Sequence, residues 1–116
     1  MRHLLILNDP AHGTERSYNG LRLAHSLVKR EGEEVRVFLM GDAVACAVAG
    51  QKTPDGYYNL ERMLKSLAAR GGEVGCCGTC LEARGIRDEL LAEGARHSSL
   101  EELTDWTLWA ERVLVF

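Results

Sequence analysis

Three of the chain's four cysteines fall in one short stretch, Gly75-Cys76-Cys77-Gly78-Thr79-Cys80-Leu81-Glu82, where an apolar run meets the start of a helix. A thiol placed there faces the unpaired N–H groups of the first helical turn, whose partial positive charge favours the thiolate. The thiolate is the nucleophilic form, so this stretch is the chain's first candidate for chemistry. Cys77 ends the apolar run and Cys80 opens the helix, which puts the two sulfurs within one turn. Such a pair gives up two electrons on forming a disulfide, or one sulfur accepts a sulfane sulfur that the other resolves. Gly78 and Thr79 let the backbone turn sharply and aim N–H groups at the sulfur. Cys76, one residue earlier on an extended run, points away from Cys77 and reads as a packed residue.

A metal is the competing use for paired thiols. A structural zinc takes four ligands, and one Cys-x-x-Cys supplies two of them. Cys46 and His97 are the distant candidates for the rest, and the sequence holds no second paired motif. Cys46 lies in the apolar stretch 43–49, where a cysteine behaves as a small buried hydrophobe. His12 stands in a turn-rich loop and reads as solvated. Gly13-Thr14 opens a helix without the spacing of a phosphate loop or a dinucleotide fingerprint. His25, within a helix, and His97 have no visible partner. Trp106 fits an apolar helical stripe, whereas Trp109 lies off its centre and suggests a protein contact.

The elements that must position the thiols alternate between short β-branched runs and longer helical patterns. Residues 4–7 read as a strand buried on both faces, followed by a turn-rich loop and a helix from about Glu15 to Glu31. Residues 35–40 form the second strand, leading through Gly41-Asp42 into a short apolar helix over 43–49. Residues 50–58 read as a loop carrying Pro54, Asp55 and Gly56. Asn59 caps a helix whose Leu60, Met63, Leu64 and Leu67 make one buried stripe, ended by Gly71-Gly72. A short strand over 73–77 runs into the thiol turn. Ser99 and Glu102 have capping-box spacing ahead of a helix bearing Leu103, Trp106 and Ala110, and residues 113–116 form the last strand. Residues 84–98 give no clear pattern.

Strand–helix alternation of this kind predicts an α/β fold, a parallel sheet covered by helices on both faces. Right-handed crossovers then gather the strand C-terminal ends along one edge, the usual ligand side of such sheets. Asn8, Asp42 and Cys77 each fall at or just past a strand end, so the topology predicts that they share that edge.

Bulk properties narrow the function classes. The 116 residues are expected to make a single domain, 1–116. A formal net charge of −3, with no basic run interleaved with aromatics, leaves no electrostatic footprint for nucleic acid. The first residues hold four consecutive large apolar side chains, Leu4 to Leu7, short of the roughly 7–15 of a secretory core or the roughly 20 of a membrane span. A soluble, cytoplasmic chain without membrane contact is the expectation. In that compartment four cysteines are reduced, reactive or metal-bound rather than a disulfide framework. The loop over 50–58, with adjacent tyrosines, and Trp109 offer apolar surface that an oligomer would cover.

The chain resembles the DsrE/DsrF-like sulfur-relay family, and within it the small YchN-type branch, over nearly its whole length. The resemblance is carried by Leu21-Arg22-Leu23-Ala24, Val37-Phe38-Leu39-Met40-Gly41-Asp42-Ala43-Val44, Gly50-Gln51-Lys52 with Gly56-Tyr57, and Met63-Leu64. Cys77-Gly78-Thr79-Cys80, Arg84-Gly85-Ile86, Trp106-Thr107-Leu108 and Val113-Leu114 continue it. The Phe-Leu-Met-x-Asp-Ala-Val segment and the Cys-x-x-Cys together make it specific. The resemblance implies a three-layer α/β/α fold around a mainly parallel five-stranded sheet. It also implies homo-oligomers, trimers or hexamers, with cysteines near subunit boundaries. In relay members one cysteine receives sulfur as a persulfide and hands it to a partner protein. Cys77 resembles that cysteine, Cys80 matches a second one seen in the YchN-type branch, and Cys76 is an addition to the pattern.

The expectation is therefore a thiol protein that accepts and transfers sulfane sulfur. Cys77 and Cys80 do the chemistry, Asn8, Asp42, Gly78 and Thr79 line the pocket, and no cofactor or metal is called for. Sulfur-donor and sulfur-acceptor proteins would be its partners. A ligand- or metal-binding oligomeric module and a Cys-x-x-Cys redox switch without sulfur transfer are the alternatives.

Overall fold

Leu4, Leu5 and Leu7 are wholly inaccessible to solvent, as an apolar run must be when sheet neighbours and helices enclose it on every side. They belong to the first strand of a computed structural model that describes residues 1–54 and 57–116. Strand β1 spans Arg2–Leu7 and leads to helix α1, Arg16–Val28. Strand β2, Glu34–Leu39, is followed by a 3-10 helix over Gly41–Ala47. Helix α2, Leu60–Ala69, precedes β3, Glu73–Cys77, and the short helix α3, Gly78–Ala83. A 3-10 turn at Asp88–Leu90 leads to β4, Ala95–Ser98; helix α4, Leu100–Trp109, and β5, Arg112–Val115, close the chain.

The five strands form one sheet in the order β4-β3-β2-β1-β5, and every pairing is parallel. Helices cover both faces. Gly20 of α1 packs on Leu7, whose register partner is Leu39, while the neighbouring Phe38 meets Trp106 of α4 edge-on at 6.0 Å. Adjacent strand residues point to opposite faces, so α1 and α4 lie on opposite sides of β2. The three-layer α/β/α architecture follows. Among the described residues no helix is long and apolar enough to cross a membrane.

Local chemistry accounts for the element ends. The Asn59 side chain accepts from the Arg62 N–H at 3.0 Å and starts α2, and Gly71, in a left-handed conformation with φ 93°, stops it. Ser99 caps α4 through the Glu102 N–H at 3.1 Å. The return half of that capping box is redirected, since the Glu102 carboxylate accepts from Ser98 Oγ at 2.5 Å and from Arg96 at 3.0 Å.

Four expectations need correction. The apolar helix expected over 43–49 is a 3-10 helix that starts earlier, at Gly41. Helix α1 is shorter than its apolar pattern, and β5 begins and ends one residue before the expected 113–116. The unpatterned stretch 84–98 holds the edge strand β4. Of the loop expected over 50–58, Asp55 and Gly56 lie outside the described residues. Trp109, read as a contact residue, is partly buried, and Arg36 stacks on its ring with the guanidinium carbon 3.9 Å from the ring centre.

Candidate functional site

Strand β3 delivers its last residue, Cys77, to the C-terminal edge of the sheet, and the chain turns there directly into α3. Cys77 is the N-cap of that helix, and its sulfur takes the place an oxygen usually fills, accepting the Cys80 N–H at 3.3 Å. The Thr79 hydroxyl lies 3.3 Å from the same sulfur. Cys77 shares a face of the sheet with Gly75, which lies against Phe38 and Trp106, so its side chain turns toward the α4 layer.

A cleft of about 510 Å³ opens over the sulfur. Phe38, Met40, Leu100 and Leu103 make its apolar wall, and Cys77, Gly78, Thr79, Cys80, Glu82, His97, Ser98 and Ser99 complete it. Cys77 is 8% exposed at the floor, within reach of a ligand that enters the cleft yet largely withdrawn from water.

The electrostatics of the two thiols diverge. Burial alone would raise the Cys77 pKa, but hydrogen bonds from the Cys80 thiol, the Thr79 hydroxyl and the backbone N–H groups of Cys80 and Thr79 outweigh it and bring it below the ordinary thiol value. Cys80 moves the other way: burial and the hydrogen bond it gives to Cys77 raise its pKa, against the Gly41 N–H, which reaches its sulfur at 3.2 Å, and the Arg84 cation. The arrangement makes Cys77 the more acidic and Cys80 the less acidic of the two thiols. Cys76 and Cys46 are fully enclosed, and burial pushes each thiol up to about 12.

Gly78, Thr79, Cys77 and Cys80 thus meet in one cleft, whereas Asn8 and Asp42 stand outside its lining. Asn8 sits where the strand order reverses about β1, and its Nδ2 and backbone N–H both donate to the Phe116 carbonyl, at 3.1 and 2.9 Å. The crevice between β1 and β5 is tied shut by that contact. Asp42 accepts two hydrogen bonds from Arg84, at 2.8 and 3.0 Å, and the same guanidinium donates to the Cys80 carbonyl at 3.0 Å. Asp42 therefore reaches the thiol turn from behind, through the helix backbone. Among the described residues no group of three or more His, Cys, Asp or Glu side chains could hold a metal ion.

Sequence reasoning offered His97 only as a distant zinc ligand, yet it lines the cleft, and its Nδ1 lies 2.9 Å from Asp88 Oδ1. The signal lay in the register, invisible in one dimension, that pairs β4 with β3, Cys76 with His97 and Cys77 with Ser98. His25 also has a partner, the Ser66 hydroxyl at 2.8 Å, supplied by another helix. His12 is exposed.

Comparison with known proteins places this geometry in context. The model of the DsrE/DsrF-like family matches residues 1–116. Protein YchN of Escherichia coli K12 is 40% identical over 114 residues, spanning 97% of each chain. An uncharacterized protein of Methanopyrus kandleri is 34% identical over 112 residues, 97% of this chain and 91% of the relative. The crystal structure of E. coli YchN superposes with a TM-score of 0.91 at 41% identity, covering both chains completely. A protein of unknown function from Methanobacterium thermoautotrophicum shares the fold, with a TM-score of 0.75 at 15% identity over 99% of this chain and 98% of its own.

Proposed function

We infer function from one premise: this chain belongs to the DsrE/DsrF-like family. It is a carrier of sulfane sulfur, in which Cys77 accepts a sulfur atom as a persulfide and passes it to a second molecule. The observation that carries this reading is the Cys77 sulfur, set at the floor of an open cleft with hydrogen-bond donors gathered on it and its pKa drawn down. A persulfide needs the same setting, an anion-stabilising cradle and an apolar wall that limits water. Cys80 stands ready as the neighbouring thiol. The carrier works in the cytoplasm between a donor and an acceptor protein. It assembles as a homo-oligomer, a trimer or hexamer, and the apolar side chains left on its surface support this: Leu108 is 81% exposed, Leu100 71% and Val115, on the edge strand, 66%.

The placement of Cys77 and Cys80 in one turn and one cleft favours a second reading, a reversible disulfide switch without sulfur transfer. Turnover separates the two. Protein loaded with sulfane sulfur and mixed with a small thiol acceptor should pass one sulfur per chain, and Cys77→Ser should pass none. A protein that forms the Cys77–Cys80 disulfide and never yields a sulfane sulfur would favour the switch and overturn the carrier.

A further inference from the structure

We propose that His97, oriented by Asp88, is the proton-transfer residue of the Cys77 site and delivers a proton to the departing group of the sulfur donor. The inference rests on the sulfur-carrier reading above and adds the acid that reading lacks.

Three observations carry it. The Asp88 carboxylate holds Nδ1 at 2.9 Å, which sets the N–H on that nitrogen and leaves Nε2 to exchange protons. Nε2 is turned to the thiol turn, because a Cβ added at Gly78 would run into Nε2 and come within 2.9 Å of Cδ2. Gly78 is not among the glycines with positive φ, so its backbone conformation does not demand glycine; the His97 ring and the Ser98 carbonyl oxygen packed against it do. Finally, His97 and Cys77 line the same cleft, with the His97 side chain 38% exposed and open to protons from solvent. Among the described residues, the other ionisable groups bordering this ring and cleft are Asp88, Glu82, Arg87, Glu89 and Cys80.

The step balances without an oxidant. Cys77 gives its proton to solvent and, as the thiolate, attacks the terminal sulfur of a donor R–S–SH, while Nε2 of His97 takes up a proton from solvent. The S–S bond from Cys77 forms as the donor's S–S bond breaks, and the electron pair leaves on R–S⁻. The imidazolium then protonates R–S⁻. The sum is Cys77–SH + R–S–SH → Cys77–S–SH + R–SH, with His97 restored.

Donors whose leaving groups differ in basicity test this. Glutathione persulfide expels an alkyl thiolate that needs a proton; benzenethiosulfonate expels a sulfinate already stable as an anion. In His97→Gln the initial rate of Cys77 loading from the persulfide should fall by about 10²-fold, within the span of general acid catalysis. The ratio of persulfide to thiosulfonate rates should fall at least about tenfold, which a merely distorted cleft would not produce. Asp88→Asn should shift that ratio the same way, and its exposed side chain keeps the test alive if His97→Gln does not fold. An unchanged ratio in both variants overturns the assignment while leaving the carrier intact. A wild type that takes no sulfur at Cys77 from either donor overturns the carrier, and this inference with it.

Discussion

The Cys80 backbone N–H donates to the Cys77 sulfur at 3.3 Å, and the Cys80 side chain further lowers the Cys77 pKa. One cysteine is thereby made more acidic at the expense of its neighbour. Alkylation as a function of pH should show Cys77 reacting at lower pH than Cys80. Removing the thiol donor in Cys80→Ala leaves the backbone donor in place, and should slow Cys77 alkylation at neutral pH roughly fivefold, the value of about 1 kcal/mol for one hydrogen bond. Equal or faster alkylation in that variant would contradict the division of roles.

The two enclosed thiols make a separate prediction about alkaline stability. Cys46 and Cys76 titrate near 12 in the folded chain against 9.0 for an ordinary thiol. A folded pKa raised above the unfolded one gives stability that is complete below the unfolded value and lost as pH rises toward the folded one. Between about pH 9 and 12 each thiol should ease unfolding by about 1.4 kcal/mol per pH unit at most. Urea midpoints from pH 8 upward should fall less steeply in the Cys46→Ala, Cys76→Ala double variant than in the wild type. Parallel slopes would mean that these thiols are not sealed.

Where local chemistry decides an element, the sequence could be read directly. Asn59 and the stripe Leu60, Leu64, Leu67 mark α2 because capping and burial there are both local. The thiol turn was legible for the same reason, with a strand, a glycine and a helix start in consecutive residues. Strand β4 was not, because Ala95-Arg96-His97-Ser98 sits at the sheet edge with only Ser98 buried and shows no apolar alternation. His97 disappeared with it. The Asp88 partner stands nine positions earlier, across a 3-10 turn, and Ser66 reaches His25 from a different helix. Asn8 and Asp42 were placed correctly at strand ends, but end position does not reveal whether a side chain faces the cleft. Phe116 and Arg84 claim them instead.

Two glycines separate fold from site. A Cβ at Gly78 would meet the Ser98 carbonyl oxygen at 2.8 Å as well as the His97 ring, and a backbone oxygen cannot swing aside. A Cβ at Gly20 would meet Leu7 at 2.6 Å and Phe116 at 3.1 Å, on the sheet face opposite the Cys77 cleft. Gly78→Ala and Gly20→Ala should each cost about 1–3 kcal/mol in denaturant titration. Gly78→Ala should also change the Cys77 alkylation rate, and Gly20→Ala should leave it as in the wild type. A Gly20→Ala protein with altered thiol reactivity would show that the site senses the opposite layer.

Asp42 offers a test of what an exposed ion pair does here. Its side chain is 66% exposed, so the pair with Arg84 should be worth no more than about 1 kcal/mol. Asp42→Asn should lower stability within that limit, and the loss should shrink at high salt. A larger, salt-insensitive loss would show that the Arg84 bridge to the Cys80 carbonyl depends on Asp42.

The central claim is that one sulfur of the four cysteines receives the cargo. Brief exposure of the reduced protein to a sulfane-sulfur donor, followed by peptide mass spectrometry, reads this directly. The account predicts a single added sulfur on Cys77, with Cys46 and Cys76 unmodified. An adduct appearing first on Cys80 or Cys76, or loading undiminished in Cys77→Ser, would contradict it.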